Sequence, residues 1–520
     1  MFFRRICREF FLFLITLSVH SQTSPNHIKF VRQAAQRLIF DEQQQIPLAN
    51  FNPKNSVGFS SMYPVNYLTA NHSNYELVHG QLQISATQKS TSTMWFAGFN
   101  PFATYTLNIT DTNGEGVVGF KYADEHNKEQ FLVKVYYHDH LLTDVKLQII
   151  KQDSSVTEQS IAVHTNEKNR INGQLILQFL GSGFTIFKRD DGLPKVIAQS
   201  NFNTMMDLRN TYYLHHFQSQ LYSEINSGSL TISSIQMGIS TGIGLADIRA
   251  ITYENGAPML DNGRLWYTMS IRGRALPHHI QGVFSLNPTT FDLKLEGIIV
   301  FDRNDELLRN EIASHIFYDR KRHIWRGITT GFSAYANPKH EKKQLLAVES
   351  LRDPRFGFSI MKATPFGMVG DIEDPHILYD EQAKKWRILA CQNHDGYKAM
   401  IFQSDLWNKN YTKIAGPVAH NSTGTSIQKI GKQLYCFSGS ADRKIYVYSY
   451  PDLHEEGVIH MDLPPWDATS GTRVWPNIVQ LPEDYPFKYV ALMMDRYNFP
   501  GQEGPQWSYG ALYLYHGFEE

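Results

Sequence analysis

The chain has 520 residues, of which 42% are hydrophobic, enough to bury a large core and to make two or three domains. The formal charge is −1, so composition points to neither nucleic acid nor an anionic membrane surface as a partner. Aromatics reach 13%, with 27 Tyr and 8 Trp. That suits a strand-rich protein with stacking surfaces for sugars, and an ordinary all-β core accounts for it equally well.

In chain order, the start carries Arg4, Arg5 and Arg8, then an apolar run from Phe10 to Val19, then Ser21-Gln22. A basic head, a short apolar stretch and small residues spell a secretory signal peptide over residues 1–22. The run is short for a bilayer span. No second stretch of spanning length follows, so the expectation is a secreted or periplasmic protein without a membrane span. Residues 23–48 read as a lead-in, with apolar spacing from Phe30 to Leu38 that suggests a short helix.

Residues 49–238 alternate in period two between turns rich in Gly, Asn and Asp. Gln81-Leu82-Gln83-Ile84-Ser85, Phe131-Leu132-Val133-Lys134-Val135 and Leu230-Thr231-Ile232-Ser233 are examples. The pattern predicts an antiparallel β-sandwich. In strand pattern it loosely resembles the concanavalin-like sandwich found beside many secreted carbohydrate-active enzymes. Gly238, Gly242 and Gly244 mark the domain boundary.

Residues 239–520 hold five related units. Each opens with a short apolar strand, at Asp247-Ile248-Arg249, Ala313-Ser314-His315, Asp374-Pro375-His376, Gly424-Thr425-Ser426 and Trp475-Pro476-Asn477. Intervals of about 50–65 residues match the blades of a β-propeller. The expected fold class is therefore all-β, a sandwich followed by a five-bladed propeller. Cys391 and Cys436 lie on second strands of units three and four. Two cysteines make neither a disulfide framework nor a metal site, and they read as buried thiols.

Residues two apart on a strand share a face. An upper ring of Asp247, Ala313, Asp374, Gly424 and Trp475 should therefore sit above a ring of Arg249, His315, His376, Ser426 and Asn477. Paired carboxylates in a cleft are the equipment of glycoside hydrolysis, and the alternative is that both aspartates cap turns. Arg249 and Arg473 are candidates to bind a carboxylate or sulfate on a sugar, and Trp475 to stack on a sugar face. His315 and His376 line the channel and could hold an ion or water, but two histidines alone define no metal site, and no cofactor is expected.

The stretch Ile372-Glu373-Asp374-Pro375-His376-Ile377-Leu378-Tyr379-Asp380 resembles the blade-three stretch of glycoside hydrolase family 43. The resemblance extends over about residues 240–520 as a pattern of blades. It implies Asp247 as general base and Asp374 as the aspartate that orients and tunes the acid. Those enzymes carry a glutamate acid near the start of blade four, where this chain has Val418-Ala419-His420-Asn421-Ser422-Thr423-Gly424. The similar family 117 has been assigned a histidine acid, which makes His420 the candidate here. Glu311 and Glu373 are rivals, and strict alternation would turn Glu373 away from the channel beside Asp374.

The resemblance implies an exported glycosidase acting on a plant or algal polysaccharide fragment. Inversion needs the two groups about 6.5–9.5 Å apart, to admit water. A lyase acting on a uronate-containing glycan and a non-catalytic glycan-binding protein are the alternatives. The expected partner is an oligosaccharide or polysaccharide, and oligomeric state is not legible. Asp247→Asn is expected to leave stability intact, on the view that the carboxylate repels Asp374 more than it supports the core.

Overall fold

The computed structural model describes residues 24–55, 73–163, 170–181, 183–272, 279–465, 474–495, 497, 499–501 and 511–519. They are almost entirely β-strand, with one six-residue α-helix, Thr211–His216, among them. None of the described helices is long and apolar enough to cross a membrane.

The N-terminal region is one sheet folded over on itself. Its spine is two long antiparallel strands, Thr104–Ala123 and Gln218–Ile239, paired along their length. One half of this spine pairs with Gly173–Phe179 and Gln81–Ala86, the other with Gln130–His138 and Ser90–Gly98. Drawn straight, the 20 residues of Thr104–Ala123 would span on the order of 60 Å. Instead Tyr105 and Tyr122, near its two ends, have ring centroids 5.1 Å apart. The strand bends back, and the two half-sheets close a sandwich over Phe99, Phe131, Phe179 and Phe202. The bend falls where Gly114 crosses Gly228, both with positive φ (79° and 121°). A Cβ on Gly114 would lie 2.0 Å from the Ser227 carbonyl oxygen, so only glycine fits there.

After Gly242 come five four-stranded blades. Blade one is Gly244–Ala250, Arg264–Arg272, Ile280–Asn287 and Asp292–Asp302. Blade two is Ile312–Asp319, Ile324–Thr330, Gln344–Ser350 and Gly357–Val369. Blade three is Ile372–Asp380, Lys385–Asn393, Tyr397–Ser404 and Thr412–Ala415. Blade four is Thr423–Ile430, Gln433–Gly439, Ile445–Ser449 and Glu455–Val458. The first strands pack side by side around the centre, and blade five returns against blade one.

Blade five corrects the reading of the lead-in. It is built from Ile478–Gln480, Tyr489–Met494, Leu512–Glu519 and, as outermost strand, Ile28–Gln36 from the other end of the chain. The apolar residues at 31, 34, 35 and 38 mimic helical spacing, but Val31 is 40% exposed. The burial that decides the structure is the period-two pair Ile28 and Phe30, packed on Tyr489 and Tyr515. The strand Ile28–Gln36 therefore closes the propeller. Sandwich and propeller also share one continuous core, and Phe102 of the sandwich packs on Phe358 of blade two.

Candidate active site

The four first strands of blades one to four share one backbone irregularity. Asp247, Ala313, Asp374 and Gly424 all have left-handed backbones, with φ of 54°, 55°, 57° and 59°. Each sits in a break of register with the neighbouring strand. Asp and Gly tolerate this conformation, and Ala313 is the exception. Two residues then face one on the partner strand, which breaks the alternation of side chains.

Asp247 and Asp374 both lie at this bulge and are nearly buried, 7% and 4% exposed. Asp247 Oδ2 accepts from Ser270 Oγ at 2.5 Å and from Arg272 Nη2 at 2.9 Å, both on the second strand of blade one. Among the described residues no donor falls on Oδ1, which is left open to a water. Asp247 thus pairs with the buried Arg272 guanidinium while its charge also opposes that of Asp374. Asp374 Oδ2 accepts from the Gly424 amide at 2.8 Å and from Thr423 Oγ1 at 3.0 Å. Burial raises its proton affinity. Arg249 opposes that, and the Asp247 charge raises it further.

Glu373 is the residue that strict alternation misplaces. At the bulge its carboxylate, the Asp374 carboxylate and the Cys391 thiol come within 4.8 Å of one another. Glu373 Oε2 lies 2.9 Å from Lys343 Nζ, which also lies 2.6 Å from the Tyr397 hydroxyl. Asp371 bonds both Lys343 and Tyr397. Side-chain exposure falls from 43% at Asp371 to 14% at Glu373, so the cluster leads inward from solvent. Burial first, and the Asp374 charge second, push the Glu373 carboxyl up to about 7, against the pull of Lys343 and Tyr397. Two carboxylates and a thiol could in principle hold a metal, but the Lys343 ammonium already supplies the positive charge at this spot.

Other residues singled out from the sequence serve the scaffold. The Arg249 guanidinium donates to the carbonyls of Thr425 (2.5 Å) and Asp374 (2.7 Å), so it ties blades one, three and four together instead of facing a ligand. Trp475 is 4% exposed, donates to the Ile248 carbonyl at 2.7 Å and lies over Arg249. It plugs the gap left by Gly424 and offers no face to a sugar. His315 and His376 stack at 3.8 Å and are buried. Desolvation lowers both, His315 to about 3, so both are neutral. His315 Nδ1 accepts from the Ile377 amide, which places its proton on Nε2 towards Thr252.

Among the described residues, neither His420 nor Glu311 contacts Asp247 or Asp374. Glu311 is fully buried and accepts from the Ser333 amide (2.8 Å) and hydroxyl (2.6 Å). His420 stacks on Tyr446 at 3.8 Å and meets Glu455 at 3.0 Å, so its contacts are to the third and fourth strands of blade four. No contact of its ring reaches Asp247 or Asp374. Arg473 lies outside the described residues. Glu373 is among the sequence candidates for the acid, whereas Lys343, Asp371 and Tyr397 are not. The signal for Glu373 was the recurrence of Asp and Gly at one register, the residue types that accept a left-handed bulge.

No protein-family profile matches the sequence, and no curated protein matches it. Among solved structures, a GH43_1 enzyme from Xanthomonas citri aligns with 53% of this chain and 89% of its own, at 11% identity and TM-score 0.35. A family 117 glycoside hydrolase produced by the marine bacterium Zobellia galactanivorans covers 52% and 85%, at 11% identity and TM-score 0.35. A structure described as RS223-Beta-xylosidase covers 53% and 93%, at 12% identity and TM-score 0.37. At such identities the activity of this chain has to be argued from its own residues.

Proposed function

We propose that this chain is an exported glycoside hydrolase that cleaves a plant or algal polysaccharide fragment with inversion. The observation that supports this most directly is the group Asp247, Asp374 and Glu373. They are three carboxyls at the bulges of blades one and three, with a raised proton affinity at Glu373 beside an aspartate. Glu373, held protonated near neutral pH, donates its proton to the glycosidic oxygen as the bond from that oxygen to the anomeric carbon breaks. Water attacks that carbon from the opposite side and gives its proton to Asp247 Oδ1. Ser270 and Arg272 orient Asp247 from its other oxygen. Asp374, fixed by Gly424 and Thr423, raises the affinity of Glu373 for its proton. Arg249 and Arg272 are both committed inside the protein, which removes them from the uronate-holding role that a lyase would require.

The test is incubation with a panel of plant and algal oligosaccharides, followed by reducing-end assay, near-ultraviolet absorbance and early NMR of the anomeric proton. Hydrolysis yields new reducing ends of inverted configuration without ultraviolet gain. An unsaturated product would place the chain among lyases, and tight binding without turnover would make it a glycan-binding protein.

A further inference from the structure

The outer face of the sandwich half-sheet that contains Ser90–Gly98 carries an unusual row. Gln220 stands directly opposite Trp95 on one side and Lys121 on the other. Their sequence neighbours Met94, Phe120, Tyr122 and Leu221 point into the core, so these three project from the opposite face.

Gln220 is 1% exposed, and among the described residues neither its Oε1 nor its Nε2 has a hydrogen-bond partner. An amide orphaned at both ends is rare, because folding normally satisfies buried polar groups. Thr93 Oγ1, buried in the adjacent row opposite Tyr222, is orphaned too. Lys121 is 7% exposed and makes no ion pair among the described residues, whereas Lys134, one row along, lies 3.7 Å from Glu158. Burial pulls the Lys121 amine down to about 8, and the nearby Asp124 charge offsets this only in part. Beside these groups the Trp95 indole is 44% exposed. Gly119, opposite both Tyr222 and Lys134, puts no side chain on the adjoining row.

We infer that this face is a binding site for an acidic oligosaccharide, with a sugar ring on Trp95, hydroxyls on the Gln220 amide and a carboxylate or sulfate on Lys121. The exposed indole supplies the apolar platform, the amide offers two donors and an acceptor, and the ammonium, without a direct ion pair among the described residues, selects for negative charge. The site is independent of the chemistry in the propeller. It would keep the chain on a charged polysaccharide whatever bond the propeller cuts.

The test is calorimetric titration of the full chain with an oligogalacturonate, a sulfated galactan oligosaccharide and a neutral xylo-oligosaccharide. The two acidic arms tell carboxylate from sulfate. At least one acidic ligand is expected to bind more tightly than the neutral one. Trp95→Ala should weaken that binding about tenfold or more, and Trp95→Phe should retain most of it. Lys121→Gln should remove the preference for acidic over neutral ligand, with a melting temperature no lower than that of wild type. Asp247→Asn should bind at this face as wild type does. Failure to bind either acidic ligand, or unchanged binding in both Trp95→Ala and Lys121→Gln, would overturn the inference.

Discussion

Glu373 concentrates the chemistry of the site at the residue scale. Its folded-state proton affinity is raised to about 7 by burial and by Asp374, well above that of an unfolded glutamate. The folded state therefore binds more protons than the unfolded one between the ordinary carboxylate range and about pH 7. The contribution of this group to stability falls as pH rises through that window and levels off above it. Glu373→Gln should flatten that slope, which urea unfolding at about pH 5 and about pH 8 would reveal. In the proposed mechanism turnover requires the protonated form, so the wild-type rate should fall as pH rises through about 7. Glu373→Gln should lower kcat by about 10²–10⁴ on a natural substrate, and much less on a glycoside whose leaving group needs no proton. Equal losses on both substrates would remove Glu373 as the acid. The two aspartates were legible in the sequence because their register repeats. The fates of Arg249 and Trp475 were not, because a polar or aromatic residue that bonds a carbonyl on another blade looks the same in sequence as one that faces a ligand.

The recurring bulge decides what the first strands can do at the element scale. It turns Glu373 and Asp374 towards one another, and it packs Gly424 under the Trp475 indole. A Cβ on Gly424 would lie 2.6 Å from Trp475 Cδ2, at a φ of 59°. Gly424→Ala should cost about 1–2 kcal/mol for the left-handed backbone and about 1–3 kcal/mol for overpacking. Denaturant unfolding measures this, and a loss under about 0.5 kcal/mol would mean that the indole moves aside freely. The first-strand pattern was readable because its apolar residues and turns repeat. The closing strand Ile28–Gln36 was not, since its partner Leu512–Glu519 lies at the far end of the chain and local spacing favoured a helix. Phe30→Ala, which empties a core position of blade five, should destabilise the fold by about 3–5 kcal/mol. An effect as small as that of an exposed residue would show that the closure contributes little.

At the scale of the whole molecule, the strands Ile28–Gln36 and Leu512–Glu519 and the sandwich are bound into the propeller. The shared core runs from Leu82 of the sandwich to Leu514 of blade five. The Phe40 amide bonds the Gly242 carbonyl at 3.0 Å, and Asn203 Nδ2 bonds the Ala336 carbonyl at 2.7 Å. Blade one, which carries Asp247, shares this core, while the apolar residues of blade three beside Asp374 pack in separate clusters with blades two and four. The proposed role of Asp247 is that of base in glycosidic hydrolysis. It is tested most directly by comparing turnover of wild type and Asp247→Asn on the best substrate of the panel, below the melting temperature of the variant. Losing the charge beside Arg272 should lower stability by about 1–3 kcal/mol while the fold survives. The expected result is a folded variant whose turnover is reduced about 10²–10⁴-fold, with substrate affinity little changed. Turnover close to wild type in Asp247→Asn would contradict that role.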